Sequence, residues 1–255
     1  MRSFFSTLRA RNPVLYYFGW LFMLGAVVSI ALIFMTDTKV LGIIAWIKPS
    51  KFFMSVGLFS WTMGWNLHYL EAPRTTLYYS IMVVLIMSFE QFVVVWQAAN
   101  GRLSHFNISS PLYVNLYIAM GVAIMILITW TAFITVLFYR KKVYAIPKRY
   151  MWGIRLGLTL FIIFSLEGGL MSSRLSHTVG SEDGGDGIPF VNWSGAYGDL
   201  RVAHFFGIHA LQLLPLTAFF ITRNTRQLLF IAGLYFILVS ILLVQAMKAI
   251  PVYKI

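Results

Sequence analysis

The chain has 255 residues, of which 59% are hydrophobic and 11% charged, and its mean hydropathy is +0.78. Soluble domains run at about 45–50% apolar and about 25% charged, so lipid must solvate many of these side chains, which excludes a cytosolic enzyme, a secreted disulfide scaffold and a disordered tail. The net charge of +12 would point to nucleic acid in a soluble protein, but basic residues flanking membrane spans account for it here and no nucleic-acid partner is expected. The absence of cysteine removes disulfides, thiolate metal sites and Cys nucleophiles.

A membrane span needs about 20 predominantly apolar residues, and seven stretches qualify. The first, 14–35, follows an Arg-rich start. It is too long for a signal-peptide core and no small-residue cleavage site follows, so it reads as a retained helix. Residues 38–48 mix apolar side chains with flanking lysines and Trp46. That suits a short interfacial helix, ended by Pro49. The second span is 52–70, where Trp61, Trp65 and His68 form an i, i+4, i+7 stripe for packing and anchoring. The third, 76–98, carries Glu90 and Gln97, seven apart and so on one face. Arg102 and His105 lie in the loop behind it.

The fourth span is 112–138, followed by the basic cluster RKKVYAIPKR. The fifth, 151–172, carries Glu167, with Met171 and Arg174 at i+4 and i+7. The longest connection, 173–200, contains His177 and the acidic run with Glu182, Asp183 and Asp186. Its spacing is not that of an EF-hand, so it reads as an acidic surface loop. Phe190, Trp193 and Tyr197 imply that the loop packs on something. Arg201 opens the sixth span, 202–221, which carries His204, His209 and Gln212. The seventh is 227–248.

With a cytoplasmic N-terminus, twelve Lys and Arg fall on the inner side and eight on the outer. The inner set includes the short RKKVYAIPKR loop, Arg2 and Arg9; the outer includes Lys248 and Lys254. The expected fold is therefore all-α: one transmembrane domain, 1–255, of seven helices, N-terminus cytoplasmic and C-terminus outside. A bacterial cytoplasmic membrane is the expected location.

Ionisable residues inside spans are costly and mark function. Glu90 and Glu167 are the buried carboxylates, both in the outer half of their helices. His105, His177, His204 and His209 fall on that same side; only His68 lies on the other. His204 and His209 are five apart, about 140° around a helix, so each should take its own partner. Glu90, Glu167, His105, His204 and His209 are expected to line one outer-side cavity. A purely structural network tying helices together is the bland alternative.

Imidazole suits iron, copper and zinc. The expectation is a metal ion or haem b, in a redox protein. His105, His177, His204 and His209 are the candidate ligands, with Glu90 and Glu167 as the catalytic carboxylates. Arg102, Arg174, Arg201, Gln97 and Gln212 would hold the cofactor, the arginines by meeting haem propionates. Gly168, Gly169 and Gly207 would let a flat macrocycle approach the backbone. The bilayer itself, and a lipid, quinone or other small apolar substrate, are the expected partners.

A metal-dependent lipid hydrolase is the alternative enzyme. It resembles seven-helix hydrolases of the adiponectin-receptor and ceramidase type in helix count and His placement. Those carry an HxxxH pair on the last helix, whereas His204 and His209 have four residues between them on the sixth. A transporter would use Glu90 and Glu167 as proton carriers, but no span looks broken at mid-membrane. A retinal protein needs a lysine deep in the last helix; Lys248 lies too near its end.

Overall fold

The computed structural model describes residues 3–184 and 187–253. Arg2, Asp186 and Lys254 lie outside them. The described chain is mostly helical, and it divides into two compact units, Met1–Trp130 and Thr131–Ile255. Helix α5 (Pro111–Arg140) is 30 residues long and contributes to both. Its early part packs through Met120 on Val93 and Val94, and the Phe138 carbonyl near its end is bonded by Arg155.

The first unit opens with α1 (Phe4–Arg11), capped by the Ser3 hydroxyl on the Ser6 amide. Asn12 ends α1 and caps α2 (Pro13–Met35) through Oδ1 on the Leu15 amide at 3.0 Å. Pro13 stands first in α2, where its missing N–H forfeits no bond. The Asn12 amide also donates to Ser80 Oγ at 2.9 Å, tying this corner to α4 (Pro73–Ala99).

Helix α3 (Ile47–Leu67) packs along α2 through small residues. A Cβ on Gly19 would strike the Trp61 ring, and one on Gly57 would strike Met23. Small residues let membrane helices approach closely. The Trp61 indole donates to the Tyr16 carbonyl at 3.2 Å, and the Arg11 guanidinium lies 3.9 Å over Trp65. The Trp61/Trp65 stripe therefore packs, as expected. His68 sits in the 3-10 turn 68–70 that follows. Burial, then Arg11, lower its pKa, against Glu71, which raises it.

Two expectations fail here. Residues 38–48 form no interfacial helix. They make a hairpin of β1 (Lys39–Val40) and β2 (Ile43–Ile44), with Lys39 opposite Ile44. Its turn places Leu41 and Gly42 at φ 50° and 81°, the paired left-handed conformations that close a two-residue hairpin. Pro49 does not stop a helix either. It lies in the first turn of α3, where no N–H partner is needed.

The second unit holds the end of α5, then α6 (Lys148–Ser165), α7 (Glu167–Arg174), α8 (Leu200–Phe220) and α9 (Thr225–Met247). Helices α6 and α8 form its tightest pair. Gly157 faces the Ala210 carbonyl and Gly153 faces Leu214 and Pro215, each leaving under 3 Å for any Cβ. Leu160, Phe164, Ala203, Ala210, Leu214, Ala232 and Val239 build the core across α6, α8 and α9. Asn224 caps α9 through Oδ1 on the Gln227 amide.

The long connection is built rather than loose. β3 (Thr178–Val179) pairs with β4 (Gly198–Asp199), and Gly187 bridges Ser194. The Trp193 ring lies 5.6 Å from Phe205 and 6.1 Å from Phe206, so that aromatic residue packs as expected. Phe190 stays exposed.

Among the described residues, six helices are long and apolar enough to cross a membrane: α2, α4, α5, α6 with α7, α8 and α9. Their exposed faces are leucine, isoleucine, valine and phenylalanine, as at Phe34, Leu85 and Phe230. Such a surface belongs in a bilayer: the chain is an integral membrane protein. Helix α3 has the length for a span, 21 residues or about 31 Å. Lys48, Lys51, Thr62, Asn66 and three serines dilute its apolarity.

Candidate functional site

Glu90, Gln97, Arg102 and His105 fall in the first unit, and Glu167, Arg174, His177, Arg201, His204, His209 and Gln212 in the second. In the first unit, Glu90, Gln91 and Gln97 are buried on α4. One carboxylate oxygen of Glu90 and the amide oxygens of both glutamines have no hydrogen-bond partner. The Gln91 amide donates to the Pro49 carbonyl at 3.4 Å, joining α4 to the start of α3. His105 Nδ1 lies 3.3 Å from Lys48 Nζ and 3.2 Å from Ser104 Oγ. An ammonium can only donate, so Nδ1 accepts and the ring proton sits on Nε2. That tautomer spends the Nδ1 lone pair on Lys48, leaving His105 a poor fit to a ligand role. Arg102 lies 5.2 Å from the Tyr113 ring.

The second unit offers a better arrangement. The fifth predicted span is interrupted for one residue at Leu166, between α6 and α7. The Gly169 amide turns back to the Leu166 carbonyl at 3.0 Å, a tighter i→i+3 closure. Leu166 itself keeps right-handed helical angles, and its amide still reaches the Ile162 carbonyl at 3.2 Å. Glu167 opens α7 and is buried, and neither carboxylate oxygen has a hydrogen-bond partner.

His204 crosses from α8 to this kink. Its Nδ1 is 2.9 Å from the Phe164 carbonyl. A carbonyl only accepts, so Nδ1 carries the proton and the Nε2 lone pair is left to bind. The ring passes beside Gly168, whose absent Cβ would lie 3.9 Å from Cε1, and nothing comes within 4 Å of a Cβ on Gly169. Gly169 is exposed, so the open space there is the outer surface of α7. His209 Nδ1 faces Gln212 Oε1 at 3.2 Å, and its ring meets Phe205 edge-on at 4.5 Å. The two histidines have separate partners, as their spacing predicts.

Other candidates are already committed. Arg201 donates through Nε to Asp199 Oδ1 at 2.9 Å and through Nη2 to Asp199 Oδ2 at 2.6 Å. Asp199 is also the N-cap of α8. This guanidinium is a structural clasp on the connection. Arg174 is exposed at the end of α7. His177 pairs with Asp183 at 3.0 Å. Asp183 also accepts from Ser176 Oγ and the His177 and Thr178 amides. Burial raises its pKa, but these hydrogen bonds and the His177 charge outweigh burial and hold it below the ordinary carboxylate value. Burial lowers the His177 pKa, against the Asp183 hydrogen bond. The pair fastens the turn before β3.

Gly207 has a different task from the one expected. A Cβ there would lie 2.2 Å from Phe164 Cβ. The glycine seats α6 on α8 and leaves no slot for a macrocycle. Sequence reasoning missed Lys48, Gln91, Asp199 and the Phe164 carbonyl. Gln91 adjoins Glu90, so its place was open to notice. A backbone carbonyl leaves no sequence signal at all.

Among the described residues, no three His, Asp or Glu side chains gather closely enough to hold a metal ion by themselves. No family model, curated protein or solved structure matches the chain.

Proposed function

We propose that the protein is a redox protein of the bacterial cytoplasmic membrane, with its working centre at the α6–α7 kink. His204 Nε2 is the nitrogen ligand of haem b or a metal ion, and Glu167 handles a proton beside it. The observation that carries this reading is the His204 Nδ1 bond to the Phe164 carbonyl. Ligating histidines almost always donate their second nitrogen in this way, which fixes tautomer and ring orientation. A haem iron can be anchored by a single axial imidazole, whereas a catalytic zinc draws on three protein ligands. The lack of a three-ligand group among the described residues therefore favours haem over the hydrolase alternative. Arg174 is the arginine near the kink whose guanidinium is exposed; Arg201 is held by Asp199. A quinone or similar small apolar molecule is the natural redox partner in a bilayer.

The absorption spectrum and metal content of the detergent-purified protein test this. A Soret band shifting with dithionite is expected, and His204→Ala should abolish it while the protein still inserts. Replacing a His by Ala only makes the span more apolar. Colourless, metal-free protein purified without chelator would defeat the reading. The second reading, a proton pathway, would then stand. It is favoured by Glu167, a carboxylate without partners at a helix interruption.

We also propose that α3 is a seventh span, with the N-terminus cytoplasmic and the C-terminus outside. The Lys and Arg distribution supports it. Single cysteines at Ser6 and Val252 should then be labelled from opposite sides by an impermeant thiol reagent. Labelling from one side would restore an even count.

A further inference from the structure

A groove runs between the ends of α5 and α6 in the second unit. Its volume is about 470 Å³. Ala132, Thr135 and Val136 on α5 and Ile162 and Ile163 on α6 make an apolar trough, and Arg140, the last residue of α5, lines it too. From Ala132 to Arg140 is eight residues, about 12 Å of helix. Within it the Tyr139 hydroxyl meets Thr159 Oγ1 at 3.1 Å. Thr159 Oγ1 donates to the Arg155 carbonyl, so the tyrosine supplies the proton between them and keeps its own oxygen lone pairs.

The Arg140 end is strongly basic. Arg140 and Lys142 are exposed there, Lys141 follows Arg140, and Lys148 and Arg149 open α6. No acidic residue occurs between Glu90 and Glu167 in the sequence. Arg155 is not part of this rim. It is buried, with Nε on the Phe138 carbonyl at 3.0 Å and Nη2 on the Lys141 carbonyl at 2.8 Å. It thus satisfies the last carbonyls of α5, whose negative end would otherwise repel a phosphate.

We propose that this groove is a binding site for an anionic phospholipid, one acyl chain in the trough and the phosphate on the Arg140–Lys142 rim. Charge complementarity decides the occupant. An apolar trough gains nothing by choosing one acyl chain over another, because the bilayer solvates each equally. Selectivity must come from the rim, where each Lys or Arg near an anionic headgroup is worth about fivefold in affinity. The trough's part is to hold the lipid at one place long enough for the rim to act on it.

The full-length protein in phosphatidylcholine bilayers, probed with spin-labelled phosphatidylglycerol and spin-labelled phosphatidylcholine, gives the test. Wild type should retain the phosphatidylglycerol probe preferentially. Arg140→Gln with Lys142→Gln should reduce that preference by about fivefold per charge removed. Val136→Trp fills the trough from a half-exposed position, leaves the rim intact and should also abolish the preference. Equal retention of both probes by wild type overturns the proposal. So does a preference that survives the rim double variant. A preference lost with the rim but kept in Val136→Trp overturns the groove as its seat, leaving only general attraction to a basic surface. Unchanged circular dichroism of each variant shows that the fold has not been lost.

Discussion

Glu167→Met should make the protein more stable and silence its site. A buried polar group without a hydrogen-bond partner costs about 1–3 kcal/mol. Both carboxylate oxygens of Glu167 are in that position. Methionine has similar length and reach, fills irregular space and leaves nothing unsatisfied. The unfolding midpoint in detergent should therefore rise, by about 1–3 kcal/mol in free energy. The proton-handling role would vanish with the carboxylate. A residue that only tied helices together would behave in the opposite way, since its loss would remove bonds. Loss of stability in Glu167→Met would therefore sink the functional case for this residue. Glu167→Gln is the companion variant. It keeps the shape and the unsatisfied oxygen, so it should recover little of the stability while still losing the charge.

This opposition between stability and use is what a functional site in a membrane implies. Local rules are broken where a task requires it, and the cost is met elsewhere. The second unit meets it through the α6–α8 contact, whose glycines bring two backbones together around a well-packed core.

The spans were largely legible, because a bilayer demands about 20 apolar residues in a row and six helices among the described residues supply them. The stretch 52–70 was less so. Its hydroxyl groups turn back on their own helix, Ser60 to the Val56 carbonyl and Thr62 to the Leu58 carbonyl. The hairpin at 39–44 was hidden for a specific reason. Leu41 occupies a left-handed position that ordinarily calls for Asn or Gly, so the turn carries half its usual signal. The site residues were legible as residue types. A charge in a span stands out whatever surrounds it. Their partners were not legible. Arg201 pairs with Asp199, two residues away, because Asp199 lies outside the helix as its cap. Helical periodicity would have placed the two on different faces. His204 meets a main-chain oxygen, which any residue at position 164 would supply.

Gly207→Ala should be among the most damaging single-methyl additions in the second unit, whereas Gly169→Ala should leave the fold intact. The new methyl at 207 would lie 2.2 Å from both Cβ and Cγ of Phe164. These atoms sit at the root of the side chain, so no rotamer change removes the clash. Helix α6 must move from α8, and overpacking of this kind costs about 1–3 kcal/mol or more. Phe164 is also the residue whose carbonyl holds the His204 ring at 2.9 Å. Displacing its backbone by about 1 Å would loosen that bond, and misplacement on this scale can cost about a hundredfold in activity. Position 169 is exposed on α7, and nothing lies within 4 Å of a Cβ there. Alanine there reduces the freedom of the unfolded chain and should stabilise by about 0.4–1 kcal/mol. Unfolding midpoints of the two variants, read together with the His204-dependent absorption band, check both halves. Gly207→Ala with wild-type stability and an unaltered band would show that α6 can shift without disturbing the site, and would separate the α6–α8 packing from the function assigned to it.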